Sequence, residues 1–345
     1  MRILLDLTHP ADVHFFARPR ENWRREGHEV ELAARDKDVT LALLGRLGVP
    51  FTPLGRAGRG LLGLARELLT RQARLMRLMR ARRPDVVAAF GGTFVVHPAR
   101  RLGVRRVVFT DTENARVSNG IALPFASLVC TPRCYPRRVR APQLRYQGYK
   151  ELSYLHPRYF TPDPSALAAA GLRAGERYVF VRLVAWRSGH DFFDHGLVDA
   201  RAAVARLERH ARVVISAEGG LPPDLEPRRF RGPVETLHHV LAGAALVFGE
   251  SPTVAAEAAM LGAPAVVVST SRRSYLDELE RRYGLVSFHG HRRRGQAEAL
   301  ARAEELLRDP GTPAEWSRRR AVMLAEQEDV AGFVTDVVLG RRGPA

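Results

Sequence analysis

The sequence predicts an α/β protein made of two successive parallel-sheet halves. Short apolar runs closed by glycine or polar residues alternate with stretches of helical spacing. The alternation lapses over residues 131–165, rich in Pro, Arg and Tyr, and resumes near Tyr178. Val247 to Thr270, VFGESPTVAAEAAMLGAPAVVVST, shows the unit most plainly: strand, tight turn, helix, turn, strand.

Taken in order, MRILLDL is a buried first strand. The polar stretch THPADVHFF leads into a helix through about Glu26, stopped by Gly27, and HEVELAAR is a second strand. Strand, loop, helix and strand from residue 1 make a Rossmann-like beginning. The G-x-G-x-x-G fingerprint is missing, so no dinucleotide cofactor is expected. His14 is expected where the first strand has ended and the helix begins, the edge at which open parallel sheets bind ligands. An imidazole there can act as a general base near neutral pH, or simply be a helix-start histidine satisfied by backbone. His9 and Asp12 share that loop and can orient it.

Val39 to Leu47 reads as a helix ended by Gly48, and VPFTPL as a short strand. The loop GRAGRG precedes a long helix from about Leu61 to Arg82. Leu61, Leu64, Leu68, Leu75 and Met79 form its apolar stripe. Arg66, Arg71, Arg74, Arg77, Arg80, Arg82 and Arg83 face a single acid, Glu67. Such a helix either turns a solvated basic face outward or rests on an anionic membrane surface.

PDVVAAFGG is a strand ending in two glycines, TFVVHPARRLG a helix, and VRRVVFTDTEN the next strand. Gly91 and Gly92 allow close backbone approach at a strand's carboxyl end, and Thr93 can cap the helix. Asp111 and Glu113, with Asn114 beside them, end the following strand. Two acids there can hold sugar hydroxyls or transfer protons, or cap the next segment. ALPFASLVCTP closes the unit as helix and short strand, and residues 131–165, containing GYKELSYLHP, are the expected interdomain connection.

In the second half, YVFVRLVAW is a strand carrying Arg182 and Trp186 near its end. The loop RSGHDFFDHG comes next, then a helix from Leu197 to His210, the strand ARVVISAEGG, a helix from Val234 to Leu241, and the strand ALVFGESP. In the central stretch, Gly249 permits a sharp turn, Pro252 suits the first helical turn and Gly262 ends the helix. The start at Ser251, Pro252, Thr253 and Val254 offers free N–H groups and a positive dipole end, a ready place for phosphate. Glu257, one turn on, is near enough to accept hydrogen bonds from a ribose. The alternative is an ordinary α/β unit with a solvated Glu257. SYLDELERRYG, VSFHG and Gln296 to Arg308 continue as helix, strand and helix, and a last helix spans Glu315 to Leu339 with a break near Val330–Gly332.

The 345 residues suffice for two ordinary domains with full cores. Cys130 and Cys134 have no second pair, so neither zinc nor any other metal is expected and the bland setting is a reduced cytoplasm. The first strand starts at Met1, so no signal peptide is expected, and no run approaches the length of a spanning helix. The formal charge is +17, nearly all arginine, since only Lys37 and Lys150 are lysines. Either arginine is used wherever a cation will serve, or a partner carries phosphate. No nucleic-acid motif or basic tail is present, so nucleic acid is not expected.

Several segments together resemble known families. GGTFVVHPARRLGVRRVVFTDTENARVSNGIALPFASLVCTP resembles the N-terminal domain of the peptidoglycan N-acetylglucosaminyltransferase that makes lipid II. DLTHPADVHFF, ARDKDVTLALLGRLGVPFTPLG, GYKELSYL, VFVRLVAW and TVAAEAAMLGAPAV look closer to domain-of-unknown-function family 354. That family is similar to the transferase and to the non-hydrolysing UDP-N-acetylglucosamine 2-epimerases. The resemblance implies a GT-B fold, two Rossmann-like parallel-sheet domains facing a central cleft. The implied division is an acceptor domain over 1–150, a nucleotide-sugar donor domain over 151–325, and a helix at 326–345 packing back on the first.

By position the resemblance places a UDP-sugar in the second half, with Glu257 on the ribose and Thr253 and neighbouring N–H groups on the diphosphate, helped by Arg182. His14 falls on the segment carrying a proposed general base. The family's usual run of glycines is here GES at 249–251, which puts Glu250 beside the phosphate site, and VRLVAW lacks the usual Pro-Glu. The implied activity is transfer of a sugar to an acceptor hydroxyl without a metal, in envelope polysaccharide synthesis. The 61–83 helix would meet a membrane bearing a lipid-linked acceptor on its inner face. The alternative is 2-epimerisation with Asp111 and Glu113 in proton transfer, though His190 and His195 lack the surroundings of the epimerases' catalytic histidine. A third is a non-catalytic protein that binds nucleotide or anionic polymer.

Overall fold

A computed structural model describes residues 1–58, 60–173, 175–184 and 197–344. Trp186, His190 and His195 lie outside the described residues. The chain divides into two compact units, Met1–Tyr154 with Gln327–Ala345, and Leu155–Glu326.

In unit 1 the elements run β1 (Arg2–Leu7), α1 (Pro10–Arg25), β2 (Glu29–Asp36), α2 (Thr40–Arg46), β3 (Thr52–Arg56), α3 (Gly60–Arg82), β4 (Val86–Phe90), α4 (Val96–Arg101) and β5 (Arg105–Phe109). Then come α5 (Arg116–Ala122), β6 (Leu128–Pro132), β7 (Gln143–Tyr146) and α6 (Leu152–Leu155). The parallel sheet has the order β3-β2-β1-β4-β5-β6-β7. The chain thus reverses its direction of travel across the sheet at β1 and β4, the switch point where such sheets open a crevice at their carboxyl edge.

Strand β1 is apolar except for Arg2 and Asp6, and is buried after its first residue because helices cover both faces of a parallel sheet. Leu75 and Met79 of α3 pack with Leu4, Val87 and Val96 on one face. Elsewhere Phe15 meets Phe90 and Phe109 edge-on at 5.3 and 5.2 Å. Burying each such ring stabilises the fold by about 1.5–3 kcal/mol.

Two expectations change here. Residues 131–165 are not simply a connection, because β7 joins the sheet edge. Gln143 bonds Thr131 Oγ1 at 2.9 Å and backbone pairing carries the rest, so the strand needs no apolar alternation. Nor is Arg71 on a solvated face. It is 1% exposed and its Nη2 donates to Asp6 Oδ1 at 2.5 Å. It occupies the turn between Leu68 and Leu75 on the apolar stripe. Glu67 is also buried, holding Arg35 through two bonds of 2.5 and 2.6 Å.

Unit 2 contains α7 (Ser165–Ala169), β8 (Tyr178–Leu183), α8 (Ala200–Leu207), β9 (Arg212–Ala217), α9 (Leu237–Gly243), β10 (Leu246–Gly249), α10 (Pro252–Leu261), β11 (Ala265–Val268), α11 (Ser274–Arg281), β12 (Val286–His289), α12 (Arg293–Arg308) and α13 (Thr312–Ala325). Its parallel sheet has the order β12-β11-β10-β8-β9, with the switch point between β8 and β10. Helix α8 starts later than its apolar pattern because Asp199 caps it, accepting from Ala202 N at 2.9 Å.

The final helix, α14 (Val330–Leu339), belongs to unit 1. The break before it falls at residues 326–329, where Asp329 accepts from Gly332 N at 3.0 Å and starts a new helix. The fully buried Trp23 donates to Thr335 O at 3.1 Å. Arg105 donates at 2.8 Å to each of the carbonyls of Val337 and Val338, closing the helix's open end.

Candidate functional site

Each unit offers a constructed carboxyl edge at its switch point. In unit 2, β10 ends at Gly249, where a Cβ would sit on the carbonyl oxygen of Arg182 in β8; only glycine lets the strands approach here. The next residue, Glu250, is 6% exposed. Its oxygens accept from Val184 N at 2.6 Å and Leu197 N at 2.7 Å, so its charge is bound to backbone amides. Ser251 is the N-cap of α10, its Oγ accepting from Val254 N at 3.3 Å, and Pro252 takes the first helical position. The Val254 amide is thus occupied by a long, weak bond that a stronger anionic acceptor can replace. Thr253 stands half-buried in the same turn.

Glu257 does not lie on a solvated face. It is 4% exposed and meets Nε2 of His238, itself 5% exposed, at 3.1 Å. Arg182 turns sideways along the edge, donating to Ser216 Oγ at 2.8 Å and to Glu218 Oε1 at 2.6 Å.

In unit 1, the loop between β1 and α1 is shorter than its polar sequence suggests. Pro10 already begins the helix, and His9 caps it, Nδ1 accepting from Ala11 N at 3.2 Å. His14 therefore sits in the second turn, not at the helix start, and stacks on Tyr154 at 5.3 Å. Asp12 accepts at one oxygen from Thr8 N, Thr8 Oγ1 and His9 N at 2.8, 3.0 and 3.0 Å. Burial nevertheless lifts its carboxyl to about 6, against the pull of these bonds and of the Lys150 charge.

Gly91 and Gly92 turn with φ of 78° and 71°, and a side chain on Gly92 would strike Val108. Thr93 does not cap α4. The N-cap is Val95, and the Gly92 carbonyl takes the amides of Val95 and Val96, so the backbone turn itself closes the helix start.

The edge then gathers charge around Lys150, which is 8% exposed. Its Nζ lies 3.1 Å from Asp111 Oδ2, 3.7 Å from Glu151 Oε1 and 5.1 Å above the Phe90 ring. The other Asp111 oxygen accepts from Thr112 Oγ1 at 2.7 Å. Tyr146 is wholly buried; burial drives its phenol pKa well up, and the Asp111 and Glu151 charges add to this. Glu113 is half-buried and Asn114 exposed. The Glu113 charge helps burial raise the phenol of Tyr135. Sequence reasoning misses Lys150, Glu151 and His238 as site residues. For Lys150 a signal exists: it is one of two lysines in a chain that otherwise uses arginine.

Two parallel sheets with these orders define the GT-B class. Residues 1–142 match the protein family described as "Protein of unknown function (DUF354)". Among solved structures, the chain is similar to a Listeria monocytogenes protein assigned as a UDP-N-acetylglucosamine 2-epimerase, with a TM-score of 0.70 and 11% identity over 99% of this chain and 96% of that one. It is similar to the spinosyn rhamnosyltransferase SpnG with its aglycone, with a TM-score of 0.62 and 17% identity over 98% and 100%. It also matches MurG of Acinetobacter baumannii, with a TM-score of 0.55 and 16% identity over 99% and 100%. At these identities the likeness is one of fold. No curated protein matches the sequence.

Proposed function

We propose that the protein is a GT-B glycosyltransferase that moves a sugar from a nucleotide-sugar, a UDP-sugar by resemblance, to an acceptor hydroxyl. The observation that carries this is the start of α10. A glycine-enforced turn, a helix N-terminus and the buried Glu257 succeed one another at the switch point of unit 2. In this reading the diphosphate takes the amides around Thr253 and Val254, and Glu257 takes the ribose hydroxyls. With Glu250 bound to backbone amides, the helix dipole is left to the diphosphate.

In this reading the acceptor's base is His14. His14 removes the hydroxyl proton as that oxygen bonds to the anomeric carbon. The bond from that carbon to the diphosphate breaks, and its electron pair leaves with the nucleotide. Preset amides that hold the growing negative charge lower the barrier. The half-buried His14 ring, steadied by Tyr154, suits such a role.

A second reading, 2-epimerisation, has its own support in Lys150 with Asp111 and Glu151, a buried acid–amine group suited to moving a proton. The two separate in one experiment. Thermal shift and NMR are run with a panel of nucleotide-sugars and no acceptor. One donor is expected to stabilise the wild type, and Glu257→Ala to abolish that shift. A donor that stays intact supports transfer, and epimerisation at C2 supports the second reading. If no nucleotide-sugar shifts the melting point, the donor site is refuted.

The acceptor in this proposal is lipid-linked and met at an anionic membrane, although no helix among the described residues is long and apolar enough to cross one. Helix α3 leaves Leu62 89% and Leu69 69% exposed, with Arg66, Arg77 and Arg80 exposed on the same side. Exposed leucines among arginines suit shallow insertion between acidic headgroups. Replacing the two leucines by serine is expected to weaken co-sedimentation with phosphatidylglycerol vesicles at least tenfold. Unchanged co-sedimentation would remove the membrane role.

A further inference from the structure

Helix α10 is alanine-rich and buried from Val254 to Leu261, yet carries one carboxylate, Glu257. A carboxylate out of water is costly, and apolar residues in place of a buried charged or polar pair are often at least as stable. Packing alone does not account for Glu257. Its partner His238 comes from α9 and is buried to the same degree. A carboxylate only accepts, so the 3.1 Å contact places the proton on Nε2 of the imidazole.

The ring is braced from behind. Phe160 meets His238 edge-on at 6.2 Å and lies 4.8 Å from His239, whose Nδ1 accepts from Asp163 N at 2.9 Å. A braced imidazole fixes the carboxylate that it donates to, as outer partners orient inner groups at other polar sites.

We infer that His238 is the positioning residue of the donor site: it holds the Glu257 carboxylate in the orientation that receives the two ribose hydroxyls of a nucleotide. The inference rests on the proposed donor site and adds the ligand group to which His238 answers. A vicinal diol presents two O–H donors, and a carboxylate, which only accepts, is matched to them. His238 touches no substrate in this arrangement and acts only through Glu257.

The test measures binding of UDP and of its 2′,3′-dideoxy analogue by calorimetry to wild type, His238→Ala, His238→Gln and Glu257→Ala, each checked by circular dichroism and melting. Wild type is expected to prefer UDP. His238→Ala is expected to weaken UDP about tenfold, the scale of one hydrogen bond to a charged group, and to leave the dideoxy analogue within about twofold. His238→Gln keeps an N–H donor and is expected to recover most of the loss. Adding His238→Ala to Glu257→Ala should change nothing further. Equal weakening of both ligands by His238→Ala would show a merely structural residue and overturn the inference, as would no change in either. A wild type that binds UDP and the analogue equally well refutes the ribose contact. A wild type that binds neither refutes the donor site, and the inference falls with it.

Discussion

Arg71→Ala is expected to destabilise the protein by about 3–5 kcal/mol, the usual penalty for leaving one partner of a buried ion pair alone. Arg71 is 1% and Asp6 0% exposed. Among the described residues, the guanidinium adds to the 2.5 Å bond to Asp6 only a 3.5 Å contact with Leu7 O, and it lies 5.2 Å from the Phe94 ring. Asp6 Oδ2, Arg71 Nε and Arg71 Nη1 are buried without a hydrogen-bond partner among the described residues. The pair is half-satisfied, and its members depend on each other. The double variant Asp6→Leu, Arg71→Met is therefore expected to regain most of the loss, since neither charge is then stranded. Urea unfolding reads both. A loss below about 1 kcal/mol in the single variant would show that the pair does not hold β1 to α3.

The second large effect depends on pH. Asp12 titrates near 3.8 when unfolded and at about 6 in the fold. Between those values the folded protein keeps a proton that the unfolded chain has lost. Stability is thus fully present below about pH 4 and falls as pH rises to about 6. Two units at about 1.4 kcal/mol each amount to about 3 kcal/mol. Asp12→Asn keeps an acceptor for Thr8 and removes the proton. Urea unfolding from pH 4 to 7.5 should show the variant gaining on wild type by about that amount as pH rises. Parallel curves would mean that the Asp12 carboxyl is not held up by burial.

Local backbone chemistry made much of the fold legible. Gly262 ends α10 in the left-handed conformation at φ 85°, Pro252 sits at the helix's first position, and Gly249 closes β10. Each acts within a few residues, so each leaves a local mark. Partners distant in sequence leave none. Lys150 and Asp111 are 39 residues apart, and His238 and Glu257 are 19 apart; only the sheet order brings them together. Arg71 lies between the two cases. The apolar stripe of α3 has a gap between Leu68 and Leu75, and position 71 falls in it. Helical periodicity identifies the inward position, but not that a cation fills it, because the matching anion is on β1. Strand β7 stayed hidden for a related reason: its register is set by backbone pairing with β6 and by Gln143, not by alternating side chains.

The return of α14 to unit 1 has a consequence for how the protein is made. Unit 2 is inserted between Tyr154 and Gln327, and unit 1 lacks α14 until all of unit 2 has been synthesised. On the ribosome the Trp23 indole and the Arg105 guanidinium must wait for carbonyls that are synthesised after unit 2. Ring closure over a long flexible chain is entropically unfavourable, but only weakly dependent on its length. Once unit 2 has folded, the two ends of the insertion are joined by a compact body, and the final helix has far less space to search. Folding of the inserted unit thereby prepares the completion of the outer one, and a nascent chain stalled before Val330 would hold an unfinished first unit for quality control to find.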